Sequence, residues 1–195
     1  MRLFVALDLD GAIRERIAGF TESIKGFAPQ ARWIKPESLH VTLKFIGEQP
    51  DTYVERITSA LASIAAPPVK VSLRGFGFFP SPNAARVFWI GMEAGRELPG
   101  LAEAVENNLL SVEIPKEERK FSPHLTLARS PGGSGSSRWR KGDRSRNTFH
   151  MLQEKLAAQA EPEFGSMTAH AFFLYRSQLS PKGSKYTKLA SFPLG

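Results

Sequence analysis

The chain has 195 residues, of which 42% are hydrophobic and 23% are charged, a composition typical of a folded protein rather than a disordered one. Cysteine is absent, which excludes disulfides, thiolate nucleophiles and cysteine-ligated zinc sites. No apolar run approaches the length of a transmembrane helix, so we expect a cytoplasmic protein with no membrane partner.

The first half of the chain predicts alternating strands and helices. The opening apolar run is short and is broken by Asp8 and Asp10, which indicates a strand rather than a signal peptide. Apolar residues at helical spacing then predict two amphipathic helices. In chain order, the predicted elements are a strand at 3–8, a helix at 11–25, an extended piece at 33–34, a strand from residue 40 and a helix at 51–65.

The second half predicts a hairpin followed by further mixed elements. The predicted elements are hairpin strands at 69–80 and 85–92, a helix at 97–112, a strand at His124, a helix at 147–160, and strands at 166–176 and 186–192. No segment has the composition of an interdomain linker. We therefore expect one α+β domain over residues 1–195, with two pseudo-symmetric lobes of antiparallel sheet flanked by helices and a central cleft.

Two strands carry the same polar pattern. The stretch "SLHVTLKFIGE" contains His40 and Thr42, and the stretch "FSPHLTLARS" contains His124 and Thr126 in the same His-x-Thr arrangement. Side chains alternate along a strand, so each histidine and its threonine face one way. By the same alternation, Lys44 would face the way His40 does and Phe45 would face the core. One copy would fit a polar edge strand, whereas two copies indicate two similar halves that contribute to one site.

Two histidines and two threonines suit the hydrolysis of a phosphodiester. Histidine titrates near neutral pH and serves as either a proton donor or an acceptor, while a threonine hydroxyl can donate to a nonbridging phosphate oxygen. A 2',3'-cyclic phosphate fits this small set of groups, because its ring already holds the leaving hydroxyl in place. Neither a metal ion nor a covalent intermediate is required.

These motifs resemble those of the 2H phosphoesterases, and more closely the branch of RNA 2',3'-cyclic phosphodiesterases historically called 2'-5' RNA ligases. The resemblance extends over nearly the whole chain, from "MRLFVALDLD" to "FFLYRSQLSPKGSKYTKLASFPL". It implies a bilobal α+β fold, a metal-independent site, no cofactor and hydrolysis of a cyclic phosphate to a terminal 2'-phosphate. It also implies that His40 is the acid and His124 the base, although pseudo-symmetry would let a substrate bind in either sense.

The end of the second motif is basic. Arg129 matches the arginine that commonly ends this strand in the family, and we expect it to bind phosphate; the alternative is a surface salt bridge. A segment rich in Gly, Ser and Arg follows, and we predict a flexible basic loop at about residues 130–146. Such a loop would attract phosphates or would only be a solvated surface. Trp139 in this loop could stack on a base.

Several alternatives stay open or are disfavoured. The cleft could belong to a noncatalytic nucleotide-binding module, and 2'-5' RNA ligation would use the same residues. A histidine metal site is disfavoured because no carboxylate or third histidine shares the spacing. His150 and His170 lack a threonine partner, and a turn with Lys182, Lys185 and Tyr186 is as well explained by a solvated hairpin as by RNA contact. We expect a monomer that acts on RNA ends or nucleotides with a 2',3'-cyclic phosphate.

Overall fold

The computed structural model describes residues 1–131, 147–180 and 183–195 of the chain. Its described part contains nine strands and four α-helices. The strands are β1 Arg2–Asp8, β2 Arg32–Trp33, β3 His40–Glu48, β4 Val69–Phe79, β5 Val87–Ala94, β6 His124–Arg129, β7 Glu163–Ala169, β8 Ala171–Ser180 and β9 Gly183–Pro193. The helices are α1 Gly11–Ile24, α2 Val54–Ala62, α3 Glu97–Leu110 and α4 His150–Ala157.

The strands form two antiparallel sheets. One sheet has the order β3-β1-β8-β9, and the other has the order β2-β6-β5-β4-β7. The two sheets contain the same unit: a central strand, a helix of 14 residues, and a strand that pairs antiparallel with the central one and begins with a histidine. These elements are β1, α1 and β3 in the first sheet, and β5, α3 and β6 in the second. The predicted pseudo-symmetric α+β architecture is confirmed.

Both faces of β1 are covered, which explains its unbroken apolar sequence. Leu3, Val5 and Leu7 belong to the main core, while Phe4 and Ala6 face a smaller cluster with Tyr175. Helix α1 begins at Gly11 because the Asp10 side chain accepts a hydrogen bond from the Ile13 amide and so caps the helix. Strand β1 therefore connects the core to the aromatic residues beside His40.

Three predicted elements differ from the structure, and the simplest case is the helix predicted at 147–160, whose α-helical part is only His150–Ala157. The strand predicted at 166–176 is two strands, β7 and β8, which lie in different sheets with His170 between them. The apolar pattern continues across this point because the chain passes directly from one sheet into the other. The helix predicted at 51–65 starts with a 3₁₀ turn at Asp51–Tyr53, and its α-helical part ends at Ala62.

Candidate active site

The two motif strands approach each other across one cleft. Strand β3 is an edge strand of its sheet, and β6 contacts it from the other sheet. The cleft between them has a volume of about 720 Å³, within the range of small-molecule sites. All four motif side chains line it, namely His40, Thr42, His124 and Thr126. The tertiary structure thus brings together residues that lie far apart in the chain.

A β-bulge occurs at the same place in both motifs. In the pairing of β1 with β3, Ala6 is opposite Thr42 and Val5 is opposite Lys44, so Leu43 is left without a partner. In the pairing of β5 with β6, Leu127 is skipped in the same way. Both bulges fall three residues after the histidine, and the burial patterns of the two strands are identical over their first six positions.

The bulge corrects the prediction for Lys44 and Phe45. Because an extra residue resets the alternation, Lys44 is buried at 3% exposure and Phe45 is 48% exposed at the cleft. The corresponding residues of β6 are the buried Ala128 and the exposed Arg129, which also lines the cleft. The two motif sequences themselves contain a sign of this burial. Aligned from their histidines, they pair Lys44 with Ala128, a residue type that is often buried.

Each histidine ring is held by a backbone carbonyl two residues earlier. His40 Nδ1 lies 2.8 Å from the Ser38 carbonyl oxygen, and His124 Nδ1 lies 2.8 Å from the Ser122 carbonyl oxygen. A carbonyl oxygen can only accept, so Nδ1 carries the proton in both rings. This fixes the tautomer and leaves Nε2 of each neutral ring as the nitrogen that can take up a proton.

Aromatic residues surround both rings. Phe4 lies 4.7 Å from the His40 ring centroid, and Tyr186 meets the same ring edge-on at 5.0 Å. On the other side, Phe79 meets His124 edge-on at 5.1 Å and stacks on Trp89. These residues were not singled out from the sequence, apart from Tyr186, because they come from strands distant in the chain.

Burial lowers the pKa of both histidines. For His40, the hydrogen bond to the Ser38 carbonyl and the Asp8 carboxylate oppose this effect, whereas Arg129 and Arg14 add to it. For His124, the Ser122 carbonyl opposes burial and Arg129 again lowers the pKa. Arg129, which lines the cleft, therefore acts electrostatically on both rings.

A charged cluster lies behind His40, and the described part of the chain has no counterpart to it behind His124. Asp8 is the cross-strand partner of His40, whereas Gly91 is the partner of His124. The Asp8 carboxylate accepts hydrogen bonds from Arg14 and Lys188. Although burial raises the pKa of Asp8, these two cations outweigh it and keep the pKa below its usual value.

The segment that leads into the second motif is anchored by Lys44. The Lys44 ammonium donates to Glu106 Oε2 at 2.8 Å and to the Pro115 carbonyl oxygen at 2.7 Å. The same Glu106 oxygen accepts from the Glu117 amide. A buried charge on β3 thus connects one sheet to helix α3 and to the chain segment that forms a wall of the cleft.

The structure settles the placement of most predicted residues. His40, Thr42, His124, Thr126 and Arg129 all line one cleft, and within the described ranges Arg129 has no ion-pair partner. His150 is exposed on α4 and is absent from the cleft lining. Residues 132–146 of the predicted basic loop, including Trp139, lie outside the described residues, as does Lys182.

Over residues 1–131, 147–180 and 183–195, no group of three or more histidine, aspartate or glutamate side chains has the arrangement of a metal site. The described helices include none that is both long enough and apolar enough to cross a membrane. Neither finding bears on the two-histidine arrangement of the cleft.

Comparison with known proteins gives a consistent result. The family model for LigT-like phosphoesterases matches residues 7–89. Two proteins named RNA 2',3'-cyclic phosphodiesterase are similar over nearly their whole length. The one from Methanothermobacter thermautotrophicus is 31% identical, covering 100% of this chain and 99% of its own, and the one from Archaeoglobus fulgidus is 33% identical, covering 98% and 99%. The crystal structure of E. coli LigT complexed with 3'-AMP superposes with a TM-score of 0.76 at 26% identity, covering 99% of this chain and 97% of that one.

Proposed function

The chain belongs to the LigT-like phosphoesterases, the 2H phosphoesterase family, and from this premise we propose that it hydrolyses the 2',3'-cyclic phosphate at an RNA end or on a nucleotide, leaving a 2'-phosphate. The observation that carries the proposal is the duplicated motif strand: two histidines, each held by a serine carbonyl, face one cleft beside two threonines. The relatives' names, which specify this activity, support the same reaction.

The reaction proceeds by one in-line displacement. Neutral His124 takes a proton from water through Nε2, and the water oxygen forms a bond to phosphorus. The bond from phosphorus to the 3' oxygen breaks, and protonated His40 gives its Nε2 proton to that oxygen. The products are a 2'-phosphate and a 3' hydroxyl. The cycle is complete when His40 regains a proton and His124 loses one to solvent.

Three side chains bind the phosphate in this proposal. The Thr42 and Thr126 hydroxyls each donate to a nonbridging oxygen, and the Arg129 guanidinium adds a charge-assisted bond. The role of Arg129 is supported by its exposure in the cleft and by its electrostatic effect on both histidines. Phe45, exposed on the opposite strand, offers a flat apolar surface on which the terminal base can stack.

The decisive assay is hydrolysis of a nucleoside 2',3'-cyclic monophosphate in the presence of EDTA, with the 2' and 3' monophosphate products resolved. We expect a 2'-phosphate and no loss of rate on chelation. Measurable nucleotide binding without turnover would instead favour a noncatalytic binding module. A rate that chelation abolishes and a divalent ion restores would contradict the metal-independent mechanism.

The threonines provide a finer test of the same proposal. Thr42→Val or Thr126→Val keeps the shape of the side chain but removes one donor, and we expect kcat to fall roughly 10- to 100-fold, somewhat less than for a preorganised oxyanion-hole donor. Thr→Ser at the same positions keeps the hydroxyl and should recover most of the rate. Steady-state kinetics on the cyclic mononucleotide measures both. A loss confined to the serine variants, which keep the hydroxyl but lack the methyl group, would instead indicate a packing role.

A further inference from the structure

A second groove adjoins the cleft on the side of Phe45. It has a volume of about 350 Å³. Four residues line both spaces, namely Lys44, Phe45, Glu117 and Arg119. The groove then continues along Ile46 and the segment from Ile114 to Glu118. A ligand seated against Phe45 can therefore extend past this ring without leaving the protein surface.

The outer wall of the groove is fixed in place. Pro115 and Glu117 are bonded through their backbone to the pair of Lys44 and Glu106, which is the buried anchor described above. Lys116 donates to the Asn107 side chain of helix α3. Three successive residues of the wall are thus hydrogen-bonded to the body of the protein, so the groove is a built feature of the fold.

The charges of the groove are arranged unevenly. Along its length, the one cation Lys116 is outnumbered by the two carboxylates of Glu117 and Glu118, while Ile46 and Ile114 provide apolar surface. Arg119 stands at the junction with the cleft, and within the described ranges it has no ion-pair partner. Of the two cations that line both spaces, Lys44 is buried and paired with Glu106, so Arg119 is the exposed one and suits a single phosphate. The mixed surface beyond it, which includes the carboxylates of Glu117 and Glu118, suits an uncharged nucleoside with a flat base and sugar hydroxyls.

We propose that this groove binds the penultimate nucleotide of an RNA substrate, with Arg119 on the phosphate that joins it to the terminal nucleotide. The proposal rests on the proposed function above. A 2',3'-cyclic phosphate occupies the 3' end of a strand, so any further nucleotide must lie on the 5' side of the reacting one. With the terminal base against Phe45, the groove beyond Phe45 is the space available to that neighbour. The enzyme should therefore prefer oligonucleotide ends to free cyclic mononucleotides.

The test compares a nucleoside 2',3'-cyclic monophosphate with a dinucleotide that ends in the same cyclic nucleotide. We expect wild type to have the higher kcat/KM for the dinucleotide, and Arg119→Ala to lower kcat/KM for the dinucleotide about 3- to 10-fold more than for the mononucleotide. The salt dependence for the dinucleotide should also become shallower, by about 0.7 in the logarithmic slope for one lost single-strand phosphate contact. Lys70→Ala removes an exposed cation that lines neither space and should leave the substrate ratio at its wild-type value.

Equal losses on both substrates would overturn the proposal, because Arg119 would then serve the reacting phosphate. No loss on either substrate in Arg119→Ala would overturn it as well. Failure of the proposed function is a separate outcome: wild type would then hydrolyse neither substrate. In that event, calorimetry still tests whether the groove binds a nucleotide. The ligands are a mononucleotide and a dinucleotide that each end in a 2'-phosphate, and Arg119→Ala should weaken binding of the dinucleotide more than binding of the mononucleotide.

Discussion

The two motif strands have the same backbone arrangement but differ in the cross-strand partner of the histidine and in the two residues after the bulge. Both have a histidine held by a carbonyl, a threonine on the same face and a bulge three residues after the histidine. The cross-strand partner of the histidine is Asp8 in one strand and Gly91 in the other. After the bulge, β3 has Lys44 and Phe45 where β6 has Ala128 and Arg129. In the proposed mechanism, the common features supply two equivalent proton carriers, and the differences give the cleft a direction.

The largest expected effect tests what the strands share. His40→Ala and His124→Ala should each lower kcat by about two to four orders of magnitude, because each removes one positioned proton carrier. The rate of cyclic mononucleotide hydrolysis measures the loss, and thermal unfolding checks that the variants fold. His150→Ala, at an exposed histidine outside the cleft, is the matched control and should stay within about twofold of wild type. A near-wild-type rate in either motif variant would refute the acid-base scheme.

The next effect concerns the buried charge that β6 lacks. Lys44→Met leaves the Glu106 carboxylate without its partner, and we expect the free energy of unfolding to drop by about 3–5 kcal/mol. Urea titration measures this. The double variant Lys44→Met with Glu106→Leu replaces the pair by apolar groups and should recover most of the loss. If the single variant is as stable as wild type, the ion pair does not anchor the wall of the cleft.

The residues after the bulges should separate catalysis from binding. Arg129→Ala is expected to lower kcat about tenfold or more, since the phosphate gains charge in the transition state. Phe45→Ala should instead raise KM roughly tenfold with a smaller change in kcat, because it removes a stacking surface used equally by the bound substrate. Steady-state kinetics resolves the two parameters. If both variants changed kcat and KM in the same way, Arg129 and Phe45 would not have the separate roles in catalysis and binding that we assign to them.

The smallest effect tests which histidine is the acid. Asp8→Asn removes a negative charge that raises the pKa of His40, so this pKa should fall while that of His124 stays in place, as followed by NMR titration of the rings. If His40 is the acid, activity well above both pKa values falls and activity well below them is unchanged. If His40 is the base, activity at low pH rises and activity at high pH is unchanged. The two assignments therefore give opposite results.

The sequence by itself determined the general architecture and predicted the chemistry that we propose. Two copies of His-x-Thr were sufficient to predict paired lobes and a shared cleft, because period-two alternation and turn residues are local properties of the chain. The same local rules place most helices and strands within a few residues of their observed bounds. The family resemblance, which spans nearly the whole chain, agrees with this conclusion.

Tertiary structure decided the features that depend on pairing between distant segments. The bulges at Leu43 and Leu127 arise from the register with β1 and β5, and they determine which of Lys44 and Phe45 is buried. Likewise, Asp8 lies opposite His40 only because β1 pairs with β3 at that register. Alternation along one strand cannot reveal such offsets, because they are set by the neighbouring strand.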